Sequence, residues 1–219
     1  MSTLLMRFAA PMQSWGTDKF ERRGTETAPT KSGVIGLLAA ALGRKRNECG
    51  DMNDLNSLRY GVRVERKGEL LRDYQTAKSE TSSYVTTRYY LSDAVFLIGL
   101  EGDDELLRQL SEALQSPVFP LFFGRRSCPP EGRVFLKIIR DKDLCDILLN
   151  EPSIITERRN ENGVGGRRIV VDADDGAADY FSRDVPVSFD QSHRKYGFRR
   201  VSELQREVTE HDPMLELDE

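Results

Sequence analysis

Tyr60-Gly61-Val62-Arg63-Val64-Glu65-Arg66 alternates apolar and polar side chains, the two-residue period of a half-buried β-strand. On its C-terminal side Lys67-Gly68 supplies a turn, so Glu69 to Gln75 is expected to return as its hairpin partner. On its N-terminal side Asp51 to Leu58 has room for a short helix. Earlier still, Ser32-Gly33-Val34-Ile35-Gly36-Leu37-Leu38-Ala39-Ala40-Ala41-Leu42-Gly43 reads as a helix packed on a sheet, with Thr30 or Ser32 to cap it and Gly43 to end it. Gly33 and Gly36 fall on one face of that helix, where missing side chains let a strand or ligand approach closely. Thr3 to Phe8 is a short apolar strand, set apart from the helix by a long polar loop.

Downstream, Thr76 to Ser83 is rich in Ser and Thr and has no core-forming pattern. Strand signal resumes over Tyr84 to Tyr90 and continues through Ala94 to Leu100. Asp103 or Asp104 caps a helix whose Leu106, Leu107, Leu110 and Leu114 share one face, Pro117 and Pro120 close it, and Arg133 to Ile139 is a further strand. The order strand, helix, strand, strand, helix, strand predicts an α+β fold of the ferredoxin-like or RRM-like kind. The expected division is an RRM-like domain over 1–150 and a small β-rich C-terminal extension over 151–219. In that extension Arg167 to Asp172 and Asp184 to Phe189 are candidate strands, and the acidic end is expected to fray.

Of the 219 residues, 31% are charged and 38% hydrophobic, which suits a globular protein with a strongly charged surface. No run of 18 apolar residues spans a membrane, and Met1 to Arg7 reads as a first strand, not a signal peptide. Cys49, Cys128 and Cys145 are odd in number and irregularly spaced, indicating neither a disulfide framework nor a zinc site. A cytoplasmic protein with reduced thiols, and with no cofactor or metal, is the economical expectation. The net charge of −4 hides a segregation: residues 1–46 carry eight Lys/Arg against three acids, and residues 201–219 carry one Arg against seven acids. Polyanion binding depends on the local field, so the basic N-terminal part permits it.

Catalytic patterns are sparse. His193 and His211 stand in the poorly patterned final stretch, without a nucleophile context or a second His at ligand spacing. Gly24 through Lys31-Ser32 resembles a P-loop at a glance, but Thr30 stands where Gly is required and the leading Gly is one residue too early. Lys31 and Ser32 still begin a helix, whose free N–H groups favour a phosphate; the competing reading is a plain cap. Lys195-Tyr196-Gly197-Phe198 echoes part of the RRM stacking motif but lacks its second aromatic and its strand context, and reads as a turn with a packed aromatic.

Three features combine charge with flat side chains. Gln13, Ser14 and Trp15, the only Trp, follow the first strand; the Trp either plugs the core or stacks on a ligand. Arg88-Tyr89-Tyr90 follows the 76–83 stretch as part of a protruding hairpin and suits splayed RNA. Phe122-Phe123-Gly124-Arg125-Arg126-Ser127-Cys128-Pro129-Pro130 holds two arginines and a Ser between an apolar anchor and a rigid Pro-Pro, a placement suited to phosphate oxygens.

Together with Ala10-Pro11-Met12 and Gly16, Pro29-Thr30-Lys31-Ser32-Gly33, Arg72-Asp73-Tyr74-Gln75-Thr76 and Leu91-Ser92-Asp93-Ala94, these stretches resemble the CasD subunits of type I-E Cascade, within the broader Cas five family of CRISPR proteins. The resemblance covers about residues 3–140. It implies an RRM-like domain with a hairpin thumb at about 76–90. It also implies a non-catalytic role in holding the 5′ handle of the crRNA beside a CasC-like backbone subunit and a CasA-like large subunit. Target DNA would be met only through the assembled complex. The implied RNA contacts fall among Gln13, Trp15, Lys31, Ser32, Arg88, Tyr89, Arg125, Arg126 and Ser127. The nearest rival is a metal-independent endoribonuclease acting on precursor crRNA, as in type I-C relatives; a third reading, a phosphate- or nucleotide-binding metabolic enzyme, rests on Lys31-Ser32 alone.

Overall fold

In the computed structural model, residues 1–16, 22–45, 52–79, 82–155, 167–173, 178–190 and 193–206 are described, and the acidic end, His211 included, lies outside them. Strand β1 (Ser2–Ala9) pairs antiparallel with both β7 (Val95–Gly102) and β8 (Phe135–Arg140), and β7 pairs on its other side with β4 (Arg59–Arg66). Helices α1 (Lys31–Ala41) and α3 (Asp104–Gln115) follow β1 and β7. Thr30 caps α1 by accepting from the Gly33 N–H at 3.2 Å, and Gly43, at φ +76°, ends it. Asp103 caps α3 through the N–H groups of Glu105 and Leu106. The remaining short helices are α2 (Asn53–Asn56) and α4 (Leu144–Asn150), the latter capped by Asp143.

Alternation along the strands builds two cores. Leu4, Met6 and Phe8 join Tyr60, Val62, Phe96 and Ile98 beneath α1 and α3, while Leu5 and Leu97 face the other way, onto Leu144, Ile147 and Leu148 of α4. The half-buried strand expected over 60–66 is therefore buried on both faces. A β-carbon at Gly61 or Gly99 would lie 2.5 Å from the methyl end of an α4 leucine, so the two glycines let that helix pack close to the sheet. Arg63 on the same face is wholly buried. It donates to the Leu148, Glu151 and Pro152 carbonyls at the end of α4 and pairs with Glu65.

Two expectations change. Lys67-Gly68 does not fold Glu69–Gln75 back on β4. Gly68, at φ +69°, directs the chain out of the main sheet instead, and a β-carbon there would meet the Ser92 carbonyl oxygen at 2.3 Å, so this turn takes glycine. The strand that follows, β5 (Glu69–Lys78), pairs with β6 (Ser83–Ser92) from Glu69↔Ser92 to Lys78↔Ser83, so the projecting hairpin is longer than 76–90. The two-residue strand β2 (Met12–Gln13) braces β6 at its base, and β3 (Arg22–Arg23) pairs with its middle at Thr87 and Arg88.

The C-terminal residues also continue the main sheet. β9 (Arg167–Asp172) pairs with β4, β11 (Lys195–Arg206) with β9, and β10 (Tyr180–Ser188) with β11, giving the order β10-β11-β9-β4-β7-β1-β8. Lys195-Tyr196-Gly197-Phe198 thus opens a strand and is not a turn, and Phe198 is exposed, not packed.

Candidate nucleic-acid interface

The two sequence stretches at 11–16 and 123–128 meet directly. The Ser14 N–H donates to the Phe123 carbonyl at 3.1 Å, and the loop closes on itself through Cys128 N–H to Arg125 O and Phe123 N–H to Cys128 O. Gly124, at φ +82°, makes this possible, since a β-carbon there would lie 1.6 Å from the Ser14 carbonyl oxygen. Beneath the junction, Phe8, Trp15 and Phe123 form an aromatic cluster with centroids 4.5–5.7 Å apart. The Trp15 indole N–H donates to the Gln13 side-chain oxygen, and the Gln13 amide donates to the Ala94 carbonyl at 2.8 Å. Trp15 is 1% exposed and Gln13 is fully buried, so neither offers an open face for a base; they hold the floor of the site.

Above that floor lies a cleft of about 830 Å³ between α1 and the 119–129 loop. Its basic residues are Arg44, Lys45, Arg125, Arg126 and Arg194, and no carboxylate is among its described lining residues. Gly33 and Gly36 lie on the helical side, the first against the Trp15 ring and the second 3.6 Å from Phe189 in β-carbon terms, so the glycine face is where other groups approach α1. Phe119, Phe122 and Tyr196 supply flat side chains. Arg44 also pairs with Asp54, which orients it from the side of α2.

Beside the cleft, Arg125 stacks on the Tyr90 ring with its guanidinium 4.6 Å from the centroid. Burial pushes the Tyr90 hydroxyl up, but hydrogen bonds with Arg125, Ser127 and Arg88 outweigh it and leave the pKa below the ordinary phenol value. The loop arginines and the hairpin are thereby tied into one cationic surface. Arg126 and Ser127 are exposed.

Lys31 is placed differently from the phosphate-binding expectation. Its backbone N–H, at the start of α1, donates to Asp184 at 2.8 Å, and its ammonium pairs with Asp172 at 2.8 Å. Arg199 joins both carboxylates at 2.7 Å and lies over the Tyr60 ring. The chain's own Asp184 thus takes the position a phosphate would occupy, and Lys31 belongs to a buried ion cluster outside the cleft. Ser32 lines the cleft, with its hydroxyl 3.3 Å from that of Thr30. Tyr89 does not line it; its carbonyl accepts from Ser14 Oγ at 3.4 Å.

Of the nine residues singled out from sequence, the cleft gathers Trp15, Ser32, Arg125 and Arg126. Arg88 and Ser127 adjoin them at Tyr90, Gln13 lies beneath, and Lys31 and Tyr89 face elsewhere. Sequence reasoning missed Arg44, Lys45, Phe119 and Arg194, and quoted Phe122 only as part of an apolar anchor and Tyr196 only as part of a turn; three separate segments deliver these six residues. Among the described residues, no group of three or more His, Cys, Asp or Glu has the geometry to hold a metal ion, and no helix is long and apolar enough to cross a membrane.

Comparison with known proteins agrees along nearly the whole length. The CRISPR system Cascade subunit CasD of Escherichia coli (strain K12) is 32% identical over 196 residues, covering 80% of this chain and 88% of that protein. A crystal structure of a Cas protein superposes with TM-score 0.72 at 38% identity, over 93% of this chain and 94% of that one. A chain of a CRISPR RNA-guided surveillance complex superposes with TM-score 0.75 at 30% identity, over 94% and 90%. The family of CRISPR-associated proteins designated Cas_Cas5 matches residues 3–202, and the chain belongs to that family.

Proposed function

We propose that this protein is the CasD-type subunit of a type I-E CRISPR surveillance complex, holding the 5′ handle of the crRNA in its basic cleft without cutting it. The observation that carries the reading is the cleft itself, in which five cationic residues and flat side chains surround a space with no carboxylate among its described lining residues. Unpaired RNA is held in this way, with phosphates on arginine and lysine and splayed bases on aromatic and apolar surface. The likeness to CasD and to the surveillance-complex chain supports the same reading.

The core order β4-β7-β1-β8, with α1 and α3 packed on one face, supports a ferredoxin-like or RRM-like core from which the β5–β6 hairpin projects as a thumb. Backbone and large subunits would flank the cleft in the cytoplasm. Guide sequence would be read by base pairing, not by the protein.

Removing Arg125 and Arg126 together tests the reading. Each neutralised phosphate contributes about −0.7 to the slope of log affinity against log salt for single strands, so the double alanine variant should bind repeat RNA more weakly with a slope about 1.4 shallower. Unchanged affinity and slope would remove the loop from the site. Incubating the purified protein with repeat RNA in EDTA addresses chemistry directly; discrete cleavage products would replace the holding role with a nuclease.

A further inference from the structure

The seam between the hairpin and the cleft brings together groups that ordinary packing keeps apart. Tyr90 of β6 is 4% exposed, and the Arg125 guanidinium, from the loop that walls the cleft, lies across its ring at 4.6 Å from the centroid. Arg88 stands two residues earlier on the same strand and so on the same face of the hairpin. Arg88, Arg125 and Ser127 all hydrogen-bond to the one Tyr90 hydroxyl. A phenol oxygen has two lone pairs and one proton, so two guanidinium groups and a serine hydroxyl use its full capacity.

This arrangement fixes two like charges side by side. Nitrogen atoms each about 3 Å from one oxygen are at most about 6 Å apart. Such a pair repels unless an anion answers it. The neighbouring acid does not: Asp73, directly opposite Arg88 across the hairpin, accepts from the Gln75 amide instead. Among the described residues no carboxylate lies within ion-pair distance of Arg88, and none lines the cleft that Arg125 enters. The Arg88 Nε–H is also buried without a hydrogen-bond partner, a cationic donor left for an oxygen from outside the chain. A phosphodiester suits the place, because its charged oxygens accept from several N–H groups at once and match the guanidinium fork.

We propose that Tyr90 is a positioning residue that sets Arg88 and Arg125 as a two-guanidinium grip on a single phosphate of the bound RNA, where the hairpin joins the cleft. The proposal rests on the cleft being an RNA site. It gives the Tyr90 hydroxyl a task that burial does not require, since phenylalanine would fill the same space.

Repeat-RNA binding by the full chain, followed by fluorescence anisotropy across a range of salt, tests it. Y90F keeps the ring and loses only the hydroxyl. Its melting temperature should stay within a few degrees of the parent, while its affinity falls roughly 2- to 10-fold, the range that one hydrogen bond contributes. R88A, R125A and R88A/R125A should all lower the salt slope by the same amount, about 0.7, because each loses the same one phosphate. Adding Y90F to R88A/R125A should weaken binding no further, since the groups that the hydroxyl orients are gone.

A slope about 1.4 shallower in R88A/R125A would put the two arginines on separate phosphates and overturn the grip, whatever Y90F does. If Y90F binds like the parent while R125A/R126A weakens binding, the role of Tyr90 is overturned and the cleft stands. An equal loss from Y90F in the parent and in R88A/R125A would mean that the hydroxyl acts on the fold and not through the arginines, which also overturns the proposal. Unaltered binding by R125A/R126A would overturn the cleft reading, and the grip with it.

Discussion

Gln13 and Trp15 show how a polar residue and the largest aromatic can serve one structural purpose. The Gln13 amide bridges the indole N–H and the Ala94 carbonyl, satisfying a donor that burial would otherwise leave without a partner. Trp15→Ala would open a large void between Phe8 and Phe123, at a cost of about 3–5 kcal/mol. The expected outcome is a sharply lowered urea midpoint, with near-normal RNA affinity in whatever fraction stays folded. A normal midpoint with weakened RNA binding would instead mean that the ring meets a base. Polar neighbours on both sides of Trp15 left its role open in the sequence, because nothing local says that the Gln side chain turns inward to bond a carbonyl 81 residues away.

At the level of elements, the β5–β6 hairpin contributes little to either core beyond Tyr90 and Leu91 at its base. Nearly all of β5 is exposed, and Leu70, Leu71, Tyr74 and Tyr84 stand open to solvent. Replacing residues 72–89 with a two-residue turn that joins Leu71 to Tyr90, a cross-strand pair, should leave the melting temperature within a few degrees of the parent. The same variant lacks Arg88 and should bind repeat RNA more weakly. A collapse of the melting temperature would show that the hairpin is part of the core after all. Strongly periodic elements were legible from their residues: β4 by alternation, α3 by its leucines and its Asp103 cap, α1 by Thr30 and Gly43. The partner of β5 was not, since Lys67-Gly68 carries the signature of a hairpin turn while Gly68 performs a sheet-to-sheet crossing. Nor was α4 seen, although Asp143 bonded to the Cys145 N–H is a cap signal of the ordinary kind; seven residues are too few for their periodicity to stand out.

For the molecule as a whole, surface ion pairs contribute to the response to acid. A hydrogen bond from Arg44 holds the Asp54 carboxyl below the ordinary range, and one from Arg168 does the same for Glu203. Folded-state values lower than unfolded ones mean that the unfolded chain takes up protons first as pH falls. The contribution is therefore complete above about pH 5 and is lost as pH drops through the folded-state values. The difference in urea midpoint between the wild type and R44A/R168A should accordingly be present at pH 7, shrink in high salt, and vanish near pH 2. An equal difference at both pH values would sink this account. The two halves of the cleft were likewise legible as motifs at 11–16 and 124–129, while Arg194 and Tyr196 were not, because only the long return of β9 to β11 along β4 brings them there.

The contact between Asp184 and the first turn of α1 also has a meaning in time. Lys31 leaves the ribosome 153 residues ahead of its carboxylate partner. At the usual pace of about 5–20 residues per second, the nascent chain spends roughly 8–30 s with that helix start unanswered and one edge of β4 still open. During synthesis the ion cluster can close only once Asp184 has emerged, and until β9 is made that edge of β4 stays open to pairing.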